Sequence, residues 1–503
     1  MKRVTIDPIT RLEGHGRVEV FLNDAGDVEN VYFQVPELRG FEVFCVGRPV
    51  EEIARITTRI CGVCPEAHHM ASAKAADAVY HVDPPSAAKK LRELLYMAFF
   101  VTDHATHFYA LGGPDFVVGP DAPPAERNIL GVIGKVGVEA GLKVVNARHA
   151  LHGVIKLLGG RSIHPVMAIP GGVSKPINED ERKQVEEVAK VAVEFGKWGL
   201  QLFDDIVLKN SDYVDLILND AYAHKTYNMG LVDENNHINF YDGMIRVTDP
   251  EGGEFVKFEA KDYRDHIEER VEPFSYLKYP FLKNVGWKGF VDGMDSGVYK
   301  ATPLSRCNAA DGIATPIGQE AYEKFYDTLG GRPVHATLAT HWARLIELTY
   351  AAERMLELAT DPEITAGTRE GITPGLDKAL MKEIRTIPTE TPTEGVGVVE
   401  APRGTLYHHY KTDENGIATE VNLIVGTTNN NAPISMSLKK AAQGMIKKGE
   451  EITETTLNLV EMAFRAYDPC LSCATHSLPG QMPLEVVVYD SDGNLIASKR
   501  KNC

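Results

Sequence analysis

The chain has 503 residues, of which 44% are apolar, so it can bury a large core in more than one layer of secondary structure. Its 53 Lys and Arg against 70 Asp and Glu give a formal net charge of -17. This balance argues against nucleic acid or an anionic membrane as a partner, because both bind basic surfaces. A bilayer span needs about 18 consecutive apolar residues, and the sequence has no apolar run of that length. The first residues also contain no apolar signal segment.

The predicted elements begin with strands and continue with long helices. The first fifty residues alternate in the manner of strands around a turn at 24–27. A helix is expected to be capped by Ser86, and a second is expected from about 126 to 158, ending at Gly159-Gly160. A third is expected from Asn178, where Glu181 completes a capping box, to about 209.

The second half of the chain changes character. Residues 211–335 are richer in Gly, Pro and aromatic residues and contain short strand-like runs, which indicates an irregular, partly β insertion. Helical periodicity returns at 342–358 and 453–466, and the tail is predicted to form a hairpin. These patterns predict a mainly helical α+β fold, with a core of long bundled helices and small flanking sheets at the N-terminus and in the insertion.

Cysteine usage is the first feature that points to chemistry. The odd, sparse set in a long chain does not indicate a disulfide framework. Four of the cysteines form two C-x-x-C pairs at opposite ends of the chain, and two more are expected to be small buried apolar residues. The seven are Cys45, Cys61, Cys64, Cys307, Cys470, Cys473 and Cys503.

Each cysteine pair is predicted to lie at the start of a helix. Pro65 suits the first helical turn after Cys61 and Cys64, and ahead of the second pair Asp468 is expected to cap a helix whose first residue is Pro469. Unpaired amides and the positive end of the helix dipole favour thiolate there. The two pairs of thiolates could therefore bind one soft metal site together, but a structural zinc ion or an iron–sulfur cluster needs the same four ligands. Spacing alone leaves these alternatives open.

Both cysteine segments resemble the two signature segments of nickel–iron hydrogenase large subunits. The first is Arg59-x-Cys61-x-x-Cys64-x-x-x-His68, and the second is Asp468-Pro469-Cys470-x-x-Cys473-x-x-His476. The likeness continues through RLEGH, RGFE, GGRSIHP, EAPRG and VGTTNN, so it covers essentially the whole chain. The resemblance implies a catalytic subunit that cleaves and forms dihydrogen at a nickel–iron centre, with carbon monoxide and cyanide on the iron.

The same resemblance assigns expected roles to individual residues. Cys61 and Cys470 would be terminal nickel ligands, and Cys64 and Cys473 would bridge nickel and iron. Arg403 would lie over the open metal position, with Asp468 and Asp115 as carboxylates beside it. His68 would donate to a bridging sulfur and Thr427 to a cyanide. Glu13 would carry away the proton that heterolytic cleavage releases. Glu42 and His476 would bind a structural ion, Mg²⁺ or iron, near the mature C-terminus.

The resemblance also implies processing and partners. We expect one domain over 1–476 and a C-terminal extension over 477–503, which a maturation protease would remove. Six cysteines in the mature chain cannot hold both this site and a relay of clusters, so an iron–sulfur small subunit is expected against the surface that contains GGRSIHP. Further electron-transfer subunits would follow, among them a heterodisulfide reductase.

The subtype resembles the cytoplasmic, multi-subunit, methyl-viologen-reducing type that does not use the deazaflavin coenzyme. An NAD-linked bidirectional hydrogenase is the main alternative. A dihydrogen sensor, a scaffold derived from a hydrogenase and a zinc-tied structural protein remain as other classes. Retention of all four cysteines argues against the scaffold.

Overall fold

The computed structural model describes residues 2–369, 377–475, 484–489 and 495–501. Helices carry most of its regular structure. None of the helices in these ranges has both the length and the apolar character that crossing a bilayer requires. The α-helices are α1 (Phe41–Cys45), α2 (Val50–Ile56), α3 (Pro65–Val79), α4 (Ser86–Thr106), α5 (Pro114–Val117), α6 (Ile129–Val136), α7 (Val138–Gly159), α8 (Glu179–Phe203), α9 (Ser211–Ile217), α10 (Tyr263–His266), α11 (Pro303–Ala309), α12 (Pro316–Leu329), α13 (Thr340–Thr360), α14 (Lys378–Met381), α15 (Asn431–Met445), α16 (Glu454–Arg465) and α17 (Leu471–Ala474).

The strands form small, separate sheets. Three antiparallel strands β1-β2-β3 lie at the N-terminus, and β12-β13-β14 form a second antiparallel sheet. The order β11-β6-β7-β8 gives a four-stranded sheet in which β11 runs parallel to β6, and β4-β5, β9-β10 and β15-β16 are two-stranded. The strands are β1 (Lys2–Ile6), β2 (Arg17–Leu22), β3 (Val28–Gln34), β4 (Ala168–Ile169), β5 (Gly172–Val173), β6 (Tyr227–Val232), β7 (Met244–Thr248), β8 (Glu254–Phe258), β9 (Ile267–Val271), β10 (Lys278–Leu282), β11 (Tyr299–Lys300), β12 (Glu394–Ala401), β13 (Gly404–Thr412), β14 (Ala418–Ile424), β15 (Leu484–Tyr489) and β16 (Leu495–Lys501).

The α+β architecture with small sheets agrees with the sequence prediction, and so do several local signals. Asn178 and Glu181 form the predicted capping box at the start of α8. The insertion contains the expected strands β7 and β8, and the tail pairs as the antiparallel hairpin β15-β16. The predicted helix over 126–158 is wrong in one respect: Gly137, with φ at 93°, divides it into α6 and α7. Ser86 is the first residue of α4 rather than its cap.

Four long helices surround the largest apolar core. Helix α13 packs against both α8 and α4, and α7 packs on α4 and α8. Residues of α13 are buried on all sides, so a charged side chain inside this layer needs a partner. Arg306 meets that need by pairing with Glu347 at 2.6 Å and Glu400 at 2.9 Å. These ion pairs tie the insertion, α13 and β12 together.

Helix α3 lies directly on the sheet β12-β13-β14, and two glycines allow this close approach. A Cβ atom on Gly397 would lie 2.1 Å from the carbonyl oxygen of Ala71, and one on Gly395 would lie 2.4 Å from the amide nitrogen of Val79. Any side chain at either glycine would push the helix away from the sheet. Because α3 begins beside the first cysteine pair, this packing fixes the depth of that pair in the molecule.

Candidate metal centre

The first cysteine pair is held by the start of α3. Cys64 is the residue that precedes the helix, and Pro65 is its first helical residue, as the sequence predicts. The amides of Val63 and Cys64 donate to Cys61 Sγ at 3.2 Å and 3.3 Å. Backbone donors of this kind stabilise negative charge on sulfur, so the turn is built to hold a thiolate.

The second pair follows α16 through a strained turn. Asp468 has φ at 52°, and the short helix α17 is preceded by Cys470, so the prediction that Asp468 caps a helix beginning at Pro469 is wrong. The amide of Cys470 instead donates to Thr427 Oγ1 at 3.0 Å. A backbone bridge to Glu13 fixes the same residue from the other side. The Asp468 carboxylate is buried and lies 2.8 Å from Arg403 Nη2.

The two pairs, from opposite ends of the sequence, converge on one buried point. The Sγ atoms of Cys61 and Cys470 are 3.2 Å apart, and those of Cys64 and Cys473 are 3.6 Å apart. Among the described residues, this is the one group of potential metal ligands whose atoms all lie within 4.8 Å of one another. Four buried sulfurs fit soft transition metals and do not fit Mg²⁺ or Ca²⁺, which require oxygen ligands.

Burial makes four thiolates at this point costly without a cation. It raises the pKa of Cys470 and of Cys473 well above the ordinary thiol range. Hydrogen bonds from Cys470, Cys473 and Cys64 lower the pKa of Cys61. Full ionisation of the set requires positive charge at the centre, which a bound metal supplies together with the nearby guanidinium of Arg403.

Arg403 is buried beside the cysteines and is held by two carboxylates. Its Nη1 atom donates to Asp103 at 3.1 Å, its Nη2 atom lies 2.8 Å from Asp468 Oδ2, and its Nε atom donates to the Asp468 carbonyl at 2.7 Å. Burial opposes its charge, but Asp103 and Asp468 hold its pKa well above the ordinary value. The guanidinium therefore stays charged and fixed in direction at the wall of the cysteine cavity, which it lines.

The structure places Asp115 away from this pairing. Its carboxylate accepts hydrogen bonds from Arg11 and, at 3.0 Å, from Arg465. Both arginines lower its pKa against the opposing effect of burial. Asp103, on α4, takes the position beside Arg403 that the sequence reasoning gave to Asp115. Asp103 lies inside a helix without a motif of its own, so no sequence signal pointed to it.

Glu13 reaches the cysteines from the N-terminal segment. Its Oε2 atom lies 3.0 Å from Cys470 Sγ and accepts a hydrogen bond from the Ser472 amide at 3.1 Å. The Glu13 carbonyl accepts from the Leu471 amide at 3.0 Å, so backbone contacts fix the approach as well. The carboxylate is therefore in direct contact with a thiol sulfur, at a half-buried position from which it can exchange protons with that sulfur.

Of the other predicted residues, His68 and Thr427 line the cysteine cavity, and Glu42 lies beside Lys278. His68 lines the cavity together with Cys64, Cys470 and Cys473, and its Nδ1 atom is 3.1 Å from His408 Nε2. Glu42 accepts from Lys278 Nζ at 2.8 Å and from the Leu423 amide at 3.1 Å. His476, the proposed partner of Glu42, lies outside the described residues.

Lys278 was not predicted and changes the charge around Glu42. Its buried ammonium also lies 3.0 Å from Glu269 Oε1. Burial opposes its charge, but Glu269 and Glu42 raise its pKa above the ordinary value. Two carboxylates around one ammonium leave one negative charge in excess, which is compatible with a further cation.

Two further cysteines, Cys45 and Cys307, are not part of the centre. Cys45 and Cys307 are fully buried, as predicted. Burial raises the pKa of the Cys45 thiol to about 12 and that of Cys307 further still. Both side chains therefore remain neutral and serve as packing groups.

Comparison with known proteins agrees with this geometry. The family model described as nickel-dependent hydrogenase matches residues 39–128 and 219–476, and one described as HoxL-like matches residues 3–38. The chain is 51% identical over 500 residues to an F420-non-reducing hydrogenase iron-sulfur subunit of Archaeoglobus profundus, covering 99% of this chain and 100% of that one. It is 40% identical over 504 residues to an F420-non-reducing hydrogenase subunit of Methanothermobacter marburgensis, covering 99% of each.

Other relatives have a different acceptor in their names. The NAD-reducing hydrogenase HoxS subunit beta of Cupriavidus necator is 38% identical over 515 residues, which cover 99% of this chain and 100% of that one. Among solved structures, an NAD+-reducing [NiFe]-hydrogenase in the H2-reduced state matches with a TM-score of 0.86 and 35% identity, covering 95% of this chain and 100% of that one.

The matched regions include both cysteine pairs, and the fold and the buried sulfur cluster are those of one family. The chain belongs to the nickel-dependent hydrogenases. Within that family it is the catalytic large subunit of a nickel–iron hydrogenase, and its four converging cysteines are positioned to bind the metal centre.

Proposed function

We propose that Cys61 and Cys470 are terminal nickel ligands and that Cys64 and Cys473 bridge nickel to an iron carrying carbon monoxide and cyanide. The observation that carries this proposal is the buried set of four sulfurs within 4.8 Å of one another, formed by both ends of the chain. Thr427 lines the same cavity, where its hydroxyl could donate to a cyanide ligand. When bound, the centre supplies the heterolytic cleavage of dihydrogen.

Arg403 adds a permanent positive charge at the wall of the cavity. Its position is set by Asp103 and Asp468, so its guanidinium loses little freedom when a substrate enters. We propose that this charge lowers the cost of collecting negative charge at the four sulfurs. Lysine could not replace it, because one ammonium cannot hold both carboxylates in the same plane.

Proton release is assigned to Glu13. The proposed step is transfer of the proton from Cys470 Sγ to Glu13 Oε2, which lies 3.0 Å away. The Ser472 amide holds the accepting oxygen in place at 3.1 Å. Because Glu13 is half-buried, the proton can then leave toward solvent without crossing the core.

Electrons are proposed to leave through an iron–sulfur small subunit. The surface over the first cysteine pair supports this assignment, because it combines arginines with exposed apolar side chains such as Phe44 (55% exposed). The depression there also contains Gly159 and Gly160, the first two residues of the GGRSIHP segment. Its basic residues stand out in a chain of charge -17 and fit an acidic partner. They are Arg39, Arg55, Arg59 and Arg161.

We further propose the F420-non-reducing type, with electrons passing to a heterodisulfide reductase through further subunits in the cytoplasm. The identity of 51% to a protein with that name supports it over the NAD-linked alternative, at 38%. The acceptor binds to other subunits, so the purified complex must be assayed with viologen, coenzyme F420 and NAD. Viologen reduction without F420 or NAD reduction is expected, and rapid NAD reduction would support the alternative.

Maturation is proposed to leave one domain over 1–476 by removing 477–503 with a dedicated protease. The new carboxylate would then lie near Glu42 and His476, with Mg²⁺ or iron between them. The excess negative charge around Lys278 supports a cation at this place. Intact-mass analysis of the chain from its native cells tests the cleavage, and a full-length protein with normal activity would contradict it.

An infrared spectrum of the native complex tests the centre itself. One carbon monoxide band and two cyanide bands are expected in the triple-bond region, and they should shift under dihydrogen. Processed protein that contains zinc and has no such bands would contradict the proposal. Bands with very low turnover would indicate a dihydrogen sensor instead.

A further inference from the structure

A largely buried cluster of charged side chains lies beside the N-terminal segment. Asp115 on α5 accepts hydrogen bonds from Arg11 through Oδ1 and from Arg465 through Oδ2, the second at 3.0 Å. Glu461 accepts from Nη2 of the same Arg465 guanidinium. Two guanidinium groups therefore meet two carboxylates, so the charges balance. The side chains of Asp115 and Arg465 are each 1% exposed, so solvent screens their attraction only weakly.

The same cluster contacts both the backbone and the side chain of Thr10, three residues before Glu13. Arg465 donates to the Thr10 carbonyl at 3.4 Å and to the Thr10 hydroxyl oxygen at 3.1 Å. That hydroxyl donates in turn to Glu461 at 2.7 Å, and the Thr10 amide donates to the same carboxylate at 3.3 Å. Thr10 is therefore bound by two residues that lie one helical turn apart on α16. A shift of the N-terminal segment along this helix would break several hydrogen bonds at once.

Arg11 has an unusual backbone conformation that the cluster stabilises. Its φ is 58°, in the left-handed region that residues with a Cβ atom rarely adopt. A conformation of this kind persists where the surrounding contacts enforce it. Those contacts include the ion pair with Asp115 and the hydrogen bond that Arg11 Nη1 donates to the Leu111 carbonyl at 3.0 Å. Loss of the Asp115 charge would let Arg11 relax, and Glu13, two residues further on, would move with it.

Helix α16 connects this cluster to the thiol that Glu13 contacts. The helix ends at Arg465, and Cys470 follows five residues later. Beyond Glu13, a Cβ atom on Gly14 would lie 2.9 Å from Leu471 Cβ, so the two segments pack closely there. The two atoms of the proposed proton transfer, Glu13 Oε2 and Cys470 Sγ, therefore lie on segments that are anchored at the same helix end.

We propose that Asp115 and Arg465 are positioning residues that keep the Glu13 carboxylate within reach of the Cys470 sulfur. This inference rests on the proposed role of Glu13 in proton release. Both residues act through the segment that precedes Glu13 and not by contact with the reacting atoms. Proton transfer requires the donor and the acceptor to be within hydrogen-bond distance, so a small displacement slows this step and leaves the metal ligands unchanged.

The test is a double-mutant cycle with Asp115→Asn and Glu13→Gln. Asparagine keeps the shape of Asp115 but can accept from only one of the two arginines. We expect Asp115→Asn to lower kcat for dihydrogen oxidation about tenfold, below the roughly 100-fold that a displacement of about 1 Å can cause. Its solvent isotope effect on kcat should rise, because proton transfer limits the rate more strongly. In the Glu13→Gln background the same substitution should change kcat less than about twofold, because the group that it positions is already lost.

Asp77→Asn is the matched control and is measured in both backgrounds. Asp77 is a buried carboxylate on α3 that accepts from Arg92 on α4 through both of its oxygens. Each holoenzyme is purified with its partner subunits, and nickel content and infrared bands are recorded to establish that the centre is intact. Asp77→Asn should change kcat by the same factor in both backgrounds, because distant sites act additively.

The outcomes separate this inference from the proposed function. Equal losses from Asp115→Asn in both backgrounds, or an unchanged kcat in the single variant, overturn the positioning role. Normal turnover in Glu13→Gln overturns the proposed role of Glu13, and this inference with it. Where Asp115→Asn does not retain nickel, Thr10→Val decides, because it removes only the hydroxyl that links Arg465 and Glu461. A loss of kcat confined to the background with Glu13 intact supports the inference, and an unchanged kcat or equal losses overturn it.

Discussion

Replacing Glu13 with glutamine removes the proposed proton acceptor while keeping its shape. The amide oxygen of glutamine can still accept the hydrogen bond that the Ser472 amide now donates at 3.1 Å. The amide has no basic site at pH 7, so it cannot take the proton from Cys470 Sγ, 3.0 Å away. The variant therefore isolates proton transfer from packing and from metal binding.

The expected loss follows from the usual contribution of a positioned acid or base. General acid–base catalysis contributes about 10²–10⁴ in rate, which corresponds to about 3–5 kcal/mol in activation free energy. Dihydrogen oxidation by Glu13→Gln should fall by at least about 100-fold. Nickel content and the infrared bands of the centre should remain, since no metal ligand changes.

The assay needs a control for the loss of a nearby carboxylate. Glu37 accepts from Ser472 Oγ at 3.4 Å and contacts His15, but it makes no contact with a cysteine sulfur. Glu37→Gln should reduce turnover less than about threefold, which is a change of under about 1 kcal/mol. A Glu13→Gln enzyme with more than half of the normal turnover would refute the assignment. A variant that lost its nickel would show that Glu13 has a structural role instead.

Three further predictions concern charge and packing. Arg403→Lys should keep the infrared bands of the metal centre but lower kcat/KM by about 10–100-fold, because one ammonium cannot hold both Asp103 and Asp468. Unchanged kinetics would contradict this prediction. Burial lowers the pKa of Lys300 to about 7, whereas the unfolded chain protonates near the ordinary lysine value. The unfolded state then binds the extra proton, so this lysine makes unfolding free energy rise with pH from about 7 to about 10, by up to about 1.4 kcal/mol per pH unit. Denaturant titrations should show a flatter rise for Lys300→Met, and parallel curves would refute it. Gly397→Ala should destabilise the chain by about 1–3 kcal/mol and reduce its nickel content, since the added Cβ would displace α3; an unchanged melting temperature would contradict this.

The sequence alone determined the type of ligand at the centre and much of the local structure. The two C-x-x-C pairs, each beside a helix start, predict pairs of thiolate ligands. Both the cysteine side chains and the helix N-terminus that favours thiolate are set by a few neighbouring residues. The capping box at Asn178 and the hairpin in the tail were likewise predictable from short-range preferences. The break at Gly137 was not, because an apolar run with one glycine satisfies either one helix or two.

Only the tertiary structure decided which groups meet around that centre. Asp103, rather than Asp115, pairs with Arg403, because the depth and rotation of α4 bring a motif-free residue to the site. Lys278 approaches Glu42 and His408 approaches His68 through contacts between elements 236 and 340 residues apart. Periodicity fixes which face of a helix or strand a residue occupies, but packing of whole layers fixes which faces touch. Short segments of sequence therefore identify the ligands, whereas the charges and hydrogen bonds around those ligands depend on long-range packing.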